Sequence, residues 1–133
     1  MAEPYTGGCL CGAVRYEADE LQRAGYCHCR MCQKASGAPV VAWTHAPLGG
    51  FRWTKGEPRQ YRSSAIASRF FCGNCGSQLG FLLAEAPKEM ELNLATLDRA
   101  ETVRPAYHLH TGSQMPWLSI ADELPRYTHE RPT

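Results

Sequence analysis

Seven cysteines fall in three short neighbourhoods: Gly8-Cys9-Leu10-Cys11-Gly12, Tyr26-Cys27-His28-Cys29-Arg30-Met31-Cys32 and Phe71-Cys72-Gly73-Asn74-Cys75-Gly76. The last has the spacing of a zinc knuckle. Two sulfurs so placed can reach one ion, while the glycines permit tight turns and close N–H···S contacts. Cys9 and Cys11 are a second pair beside glycines. Two pairs complete one tetrahedral four-thiolate shell. Such a closed shell is structural, because no position is open and the excess negative charge makes the ion a poor Lewis acid. Cys9, Cys11, Cys72 and Cys75 are therefore expected to hold a structural zinc that joins the first strand region to the middle of the chain.

Cys27, Cys29 and Cys32 remain, all within six residues. Three protein ligands on zinc leave one coordination position open. Three thiolates make the ion soft, so a fourth thiolate is preferred over a hard oxygen. A thiolate held by zinc stays deprotonated at neutral pH and can attack an electrophilic carbon or leave from one. The trio thus points to sulfur chemistry more than to hydration or peptide hydrolysis. Other readings fit the same residues. The trio could be a second structural site completed by His28 or another side chain, or a metal-free redox cluster. Cys29 and Cys32 also form a Cys-x-x-Cys pair that could trade places with another pair.

The remaining polar candidates carry weaker signals. His28 lies between two cysteines, so on extended backbone it points away from both, into a pocket wall or behind the ligands. His108 and His110 are two apart and would share a strand face, which suits a metal or a substrate anion, though half-exposed surface is the plainer reading. Gln33, Lys34 and Ser36 follow the trio and either meet a polar substrate or face solvent. Trp43, Trp53 and Trp117 read as core.

Twelve glycines and nine prolines divide the chain into short pieces. Strand-like alternation or β-branched runs occur at 13–17, 39–44, 51–54, 68–71, 78–83, 89–94 and 107–111. One stretch looks helical, Arg30 to Ser36, with Gly37 as its stop. About eight strands and one or two helical turns make a mostly β domain. Strands this short bury little surface alone, so metal that ties distant segments together is expected to add stability. The tail from Met115, with Trp117, Leu118, Ile120, Leu124 and Tyr127, reads as a closing segment packed on the sheet.

A length of 133 residues suits one domain, 1–133. The formal charge is +1, which argues against a dedicated nucleic-acid binder. The longest uninterrupted run in the second half, Leu79 to Ala84, is far too short to cross a bilayer, so no membrane partner is expected. No secretory signal is visible from Met1 to Tyr5, and the cysteine count is odd. Thiolates held by metal in a reducing cytoplasm explain that count better than an extracellular disulfide framework.

Three stretches closely resemble the glutathione-dependent formaldehyde-activating enzyme (GFA) family, also called the centromere protein V-like domain. They run from Gly7 to Tyr16, from Cys27 through Gln33-Lys34-Ala35-Ser36-Gly37 to Pro39, and from Phe71 to Leu79. Weaker similarity continues through 105–117 and 122–127. The resemblance implies a β-tent fold of short antiparallel sheets around zinc. It implies a structural zinc on Cys9, Cys11, Cys72 and Cys75 and a second zinc on Cys27, Cys29 and Cys32 at the active site. It further implies a carbon–sulfur lyase whose founding activity condenses formaldehyde with glutathione to S-hydroxymethylglutathione. A small thiol such as glutathione and an aldehyde are the expected partners, with His28 or a nearby polar residue carrying the proton. Arg30, Lys34, Arg62 and Arg69 are candidates, on charge, for glutathione's carboxylates. A non-catalytic zinc-binding interaction module of the same fold is the competing expectation.

Overall fold

The computed structural model describes residues 2–131. Their strands form two sheets. The smaller one holds β1 (Tyr5–Gly8), β2 (Arg15–Ala18) and β5 (Phe51–Lys55) in the order β1-β2-β5. The larger one is built from β3 (Ala24–Cys27), β4 (Val41–Pro47), β6 (Arg59–Arg62), β7 (Ala67–Phe71), β8 (Gln78–Leu83), β9 (Glu89–Asn93) and β10 (His108–Leu109). Its order is β10-β3-β4-β9-β8-β7-β6, antiparallel throughout except where β10 joins β3 in parallel. The expected mostly β architecture is the one observed, with a single α-helix, α1 (Arg30–Ser36).

Alternation sends one face of each sheet into a shared core. In β9, Met90 and Leu92 turn inward beside Leu79, Ala46, Tyr16 and Ala18, while Glu89 and Glu91 take the opposite face. Leu79 and Leu92 are fully buried, which contributes about 1.5–3 kcal/mol each. Trp53 of β5 meets Phe70 of β7 with ring centroids 6.0 Å apart, so an aromatic contact links the two sheets.

Helix α1 begins and ends where the sequence places it. Cys29 is its extended N-cap, and the Cys29 sulfur accepts from the Cys32 N–H at 3.3 Å. Gly37 closes it in the left-handed conformation at φ 76°, where a Cβ would be strained, and donates its N–H to the Gln33 carbonyl. Gln33 itself is a correction. It is buried, and its Nε2 faces the carbonyls of His28, Pro39 and Ser113 at 2.8–3.1 Å. The helix is therefore pinned to the loops on both sides of it.

Other expectations need correcting. β1, β3 and β6 have no hydrophobic alternation and are strands because of their neighbours. In β3 a Cβ on Gly25 would lie 2.3 Å from the Tyr107 ring, so this glycine lets β3 and the 105–110 segment close together. The strand expected at 107–111 shrinks to His108–Leu109, because His110 turns into the left-handed region at φ 55°. His108 and His110 therefore do not share a strand face. The tail is held by backbone hydrogen bonds beside β10, His108 N–H donating to Pro125 O and Tyr127 N–H to His108 O, both at 2.9 Å, and by the Tyr127 ring set edge-on to Tyr107 at 6.5 Å. Trp117, expected in the core, is 71% exposed. Among the described residues, no helix is long and apolar enough to cross a membrane.

Candidate metal centres

The seven sulfurs gather into a group of four and a group of three, each with all members within 4.8 Å of one another, and no two are joined as a disulfide. Cys9 and Cys11 sit in the β1–β2 turn, and Cys72 and Cys75 in the β7–β8 turn. The group of four thus ties the small sheet to the large one. Cys9–Cys11 and Cys11–Cys72 are 3.7 and 3.9 Å apart, sulfur to sulfur. A tetrahedral shell with bonds of about 2.3 Å has edges of roughly 3.8 Å, so the spacing fits zinc. Backbone N–H groups of Val14 and Asn74 point at Cys9 and Cys72 at 3.3 and 3.4 Å, and the Asn74 amide reaches Cys11 at 3.2 Å. Such donors favour the thiolate. The hydroxyl and backbone of Ser77 likewise hold the Cys75 thiol down to about 5.

The group of three is placed by β3, which ends at Cys27, and by α1, which Cys29 caps and which contains Cys32. Cys27 and Cys32 pack with Val41, Trp43 and Phe81 on the face of the large sheet turned away from the shared core. No fourth Cys, His, Asp or Glu ligand atom joins them among the described residues. The Cys27 and Cys32 thiols donate toward Cys29 and hold it down to about 2, while the same bonds and burial push Cys27 far up. Three sulfurs this close cannot all be thiolates unless a cation sits among them. Soft donors, tight spacing and mutual suppression of charge suit a thiophilic dication such as zinc.

His28 turns away from the sulfurs and is fully buried. Its Nε2 lies 2.8 Å from His108 Nδ1, and His108 Nε2 lies 2.9 Å from Asp122 Oδ2. Asp122 also accepts from Leu124 N–H and from Arg126, and the His108 bond above all keeps its carboxyl below the usual range. Asp122 is then the acceptor at the end of the chain. His108 donates from Nε2, its Nδ1 accepts from His28, and the lone pair of His28 Nδ1 is left free. That nitrogen has no hydrogen-bond partner among the described residues. Burial, then the neighbouring His108, lower the His28 pKa, so the ring is neutral at pH 7. Sequence reasoning missed Asp122 and paired His108 with the wrong histidine. The partners are 80 and 14 residues apart: His28 meets His108 through the β3–β10 pairing, and Asp122 meets it through the bridge between His108 and Arg126. His110 pairs instead with Glu130 at 3.0 Å.

The family of glutathione-dependent formaldehyde-activating enzymes matches residues 4–113. The chain belongs to that family. A Schizosaccharomyces pombe protein named an uncharacterized lyase is 36% identical over 80 residues, 58% of this chain and 56% of that protein. The chain therefore spans about half the length of that curated relative. The crystal structure of a Rhodobacter sphaeroides protein superposes with a TM-score of 0.60 at 28% identity, over 71% of this chain and 88% of that one.

In this glutathione-dependent formaldehyde-activating family member a cleft of about 490 Å³ opens beside α1, lined by Met31, Lys34, Tyr61, Arg69, Phe71 and Gln78 among others. The four cations named on charge separate here. Arg30 is bonded to Gln33 Oε1 at 2.8 Å, and Arg62 to the carbonyls of Ser64 and Ala65. Lys34 and Arg69 line the cleft.

The histidine chain gives a first expected outcome. His108→Phe keeps the ring volume but leaves the buried His28 Nε2–H without an acceptor. It is expected to lower stability by about 1–3 kcal/mol, read as a lower denaturant midpoint at unchanged slope. An unchanged midpoint would show that the His28–His108 bond carries no net stability.

Proposed function

We propose that this family member is a zinc-dependent carbon–sulfur lyase acting on the adduct of a small thiol and an aldehyde, with glutathione and formaldehyde as the reference pair. The observation that supports it is the asymmetry between the sulfur groups. Four sulfurs close around one point between the sheets, whereas three gather without a fourth Cys, His, Asp or Glu ligand atom among the described residues, with Arg69, which lines the cleft, 3.6 Å from Cys32 Sγ. In this reading Cys9, Cys11, Cys72 and Cys75 hold a structural zinc, and Cys27, Cys29 and Cys32 hold a second. The chain works as one unit, 1–133, in a reducing cytoplasm.

Zinc at the trio would supply the positive charge that keeps an incoming thiol as its thiolate beside the aldehyde carbon. Holding and positioning are done by the chain's own residues. Cys27, Cys29 and Cys32 leave one side of their group unclosed by protein ligands. Arg69 Nη2, 3.6 Å from Cys32 Sγ, offsets the net negative charge that three thiolates leave around a dication. His28 is fully buried and turned away from the sulfurs, so its bonded chain to His108 and Asp122 holds the Cys27–Cys29 backbone in place, while the thiol proton passes to water and the aldehyde oxygen takes one back from water. The sulfur–carbon bond forms as the carbonyl π bond opens, and the reverse path releases both partners.

The test is adduct exchange between glutathione and formaldehyde, followed by NMR magnetisation transfer with the zinc-loaded protein. Exchange faster than in buffer is expected. The spontaneous rate in the presence of fully loaded, folded protein would overturn the reading and leave the non-catalytic interaction module.

A further inference from the structure

A second cleft, of about 480 Å³, opens at the start of β3, the end of that strand opposite Cys27. Arg23, Arg104 and Arg131 all line it, and no aspartate or glutamate does. The whole chain carries 14 basic and 13 acidic residues, so this imbalance is local. Backbone hydrogen bonds bring the three arginines together from distant segments. Ala106 N–H donates to Ala24 O at 2.9 Å and Tyr26 N–H to Tyr107 O at 2.8 Å, which sets the 104–107 segment beside Arg23. The tail that carries Arg131 is then laid alongside through Pro125 O. Among the described residues only Arg23 of the three has an acidic partner. Its Nη2 lies 2.6 Å from Glu89 Oε1, and Glu89 is not on the cleft wall. Arg131 holds its guanidinium 5.0 Å from the centroid of the buried Tyr107 ring. Like charges gathered on one wall repel unless an anion or solvent lies between them.

We propose that this cleft binds an organic phosphate monoester, at a site separate from the cysteine trio. Three guanidinia against the single carboxylate of Glu89 leave two uncompensated positive charges. The dianion of a monoester matches both, whereas a carboxylate or a phosphodiester brings one. The planar fork of arginine suits phosphate oxygens, which it can meet in pairs. Stacking on Tyr107 fixes the plane of the Arg131 fork and reduces the entropy lost on binding. Leu21, Val103 and Pro125 supply an apolar part of the wall for the organic group of the ester. The site is also distinct in space. β3 runs from Ala24 at this cleft to Cys27 in the trio, a rise of about 10 Å at roughly 3.3 Å per residue. A ligand here leaves the sulfurs free, so the proposal and the lyase reading stand or fall separately.

The experiment titrates the zinc-loaded protein with phenyl phosphate at about pH 8, where the monoester is a dianion, and at constant ionic strength. Backbone amide NMR shifts are followed. Saturable shifts are expected at Ala24, Ala106 and Tyr107. Phenyl phosphate should bind tighter than inorganic phosphate and tighter than the diester methyl phenyl phosphate. Arg104→Gln and Arg131→Gln alter exposed side chains and should each weaken binding about tenfold, the low end for a hydrogen bond to a charged group. Arg59→Gln, on the far edge strand β6 and outside the cleft, should leave it unchanged. Absence of saturable shifts at those three amides in the unaltered protein overturns the proposal whether or not the variants fold. Equal weakening by Arg59→Gln also overturns it, because the attraction would then be diffuse. Inorganic phosphate bound as tightly as phenyl phosphate would show that the organic group is not held, and a diester bound as tightly would show that the second charge is not read. Either result overturns the monoester site.

Discussion

Cys72→Ala is expected to abolish the folded state rather than merely weaken it. Cys72 is 1% exposed and belongs to the group of four that joins the β1–β2 turn to the β7–β8 turn. A structural zinc of this type contributes about 10–16 kcal/mol of apparent binding energy. The whole net stability of a domain is only about 5–15 kcal/mol. The strands on either side are short, four residues in β1 and β2 and five in β7. Such strands depend on being held in register from outside. Without Cys72 the remaining sulfurs cannot close a tetrahedron, and the two sheets lose the joint beside Tyr16 and Leu79. Circular dichroism on heating checks this. The altered protein should show no cooperative transition, and a transition near that of the unaltered protein would refute the structural role.

Cys32→Ala is expected to do the reverse, keeping the fold and losing the chemistry. Two sulfurs cannot hold an ion as three can, so the protein should carry one zinc fewer. The helix around position 32 has other supports. Gln33 faces three carbonyls from separate loops, and Gly37 closes the last turn. The melting transition should therefore stay cooperative and move by only a few degrees, consistent with the loss of one small buried side chain. Exchange of the glutathione–formaldehyde adduct should fall to the rate in buffer. Normal turnover by Cys32→Ala would remove the trio from the mechanism.

Much of this arrangement was legible in the residues themselves. Spacing suggested the separation of cysteines into four and three but left the Cys29–Cys32 pair free to trade places, and the folded chain brings Cys9 and Cys11 to Cys72 and Cys75. The bounds of α1 were equally local, set by helix formers and by a glycine that can adopt φ 76°. What was hidden depends on contacts between distant segments. β3 reads as Ala-Gly-Tyr-Cys, without alternation, and is a strand only because β4 and β10 flank it. Gln33 looks like a solvated helix position until the loops around 39 and 113 close over it. Asp122 carries no motif and gains its role through a bond to a histidine fourteen residues earlier. Arg69 was one of four cations of equal standing in the sequence. Burial between Trp43 and Phe81 is what sets it apart.

The central claim is that the two sulfur groups differ in kind, one closed and structural, the other open to a guest. Graded removal of zinc by a chelator, with metal counted by mass spectrometry and the fold followed by circular dichroism, tests it most directly. Two ions per chain are predicted, leaving in separate steps. The first should depart without loss of structure and at a rate that glutathione changes, and the second should depart together with the fold. A single ion per chain, or two ions released together as the protein unfolds, would contradict the account.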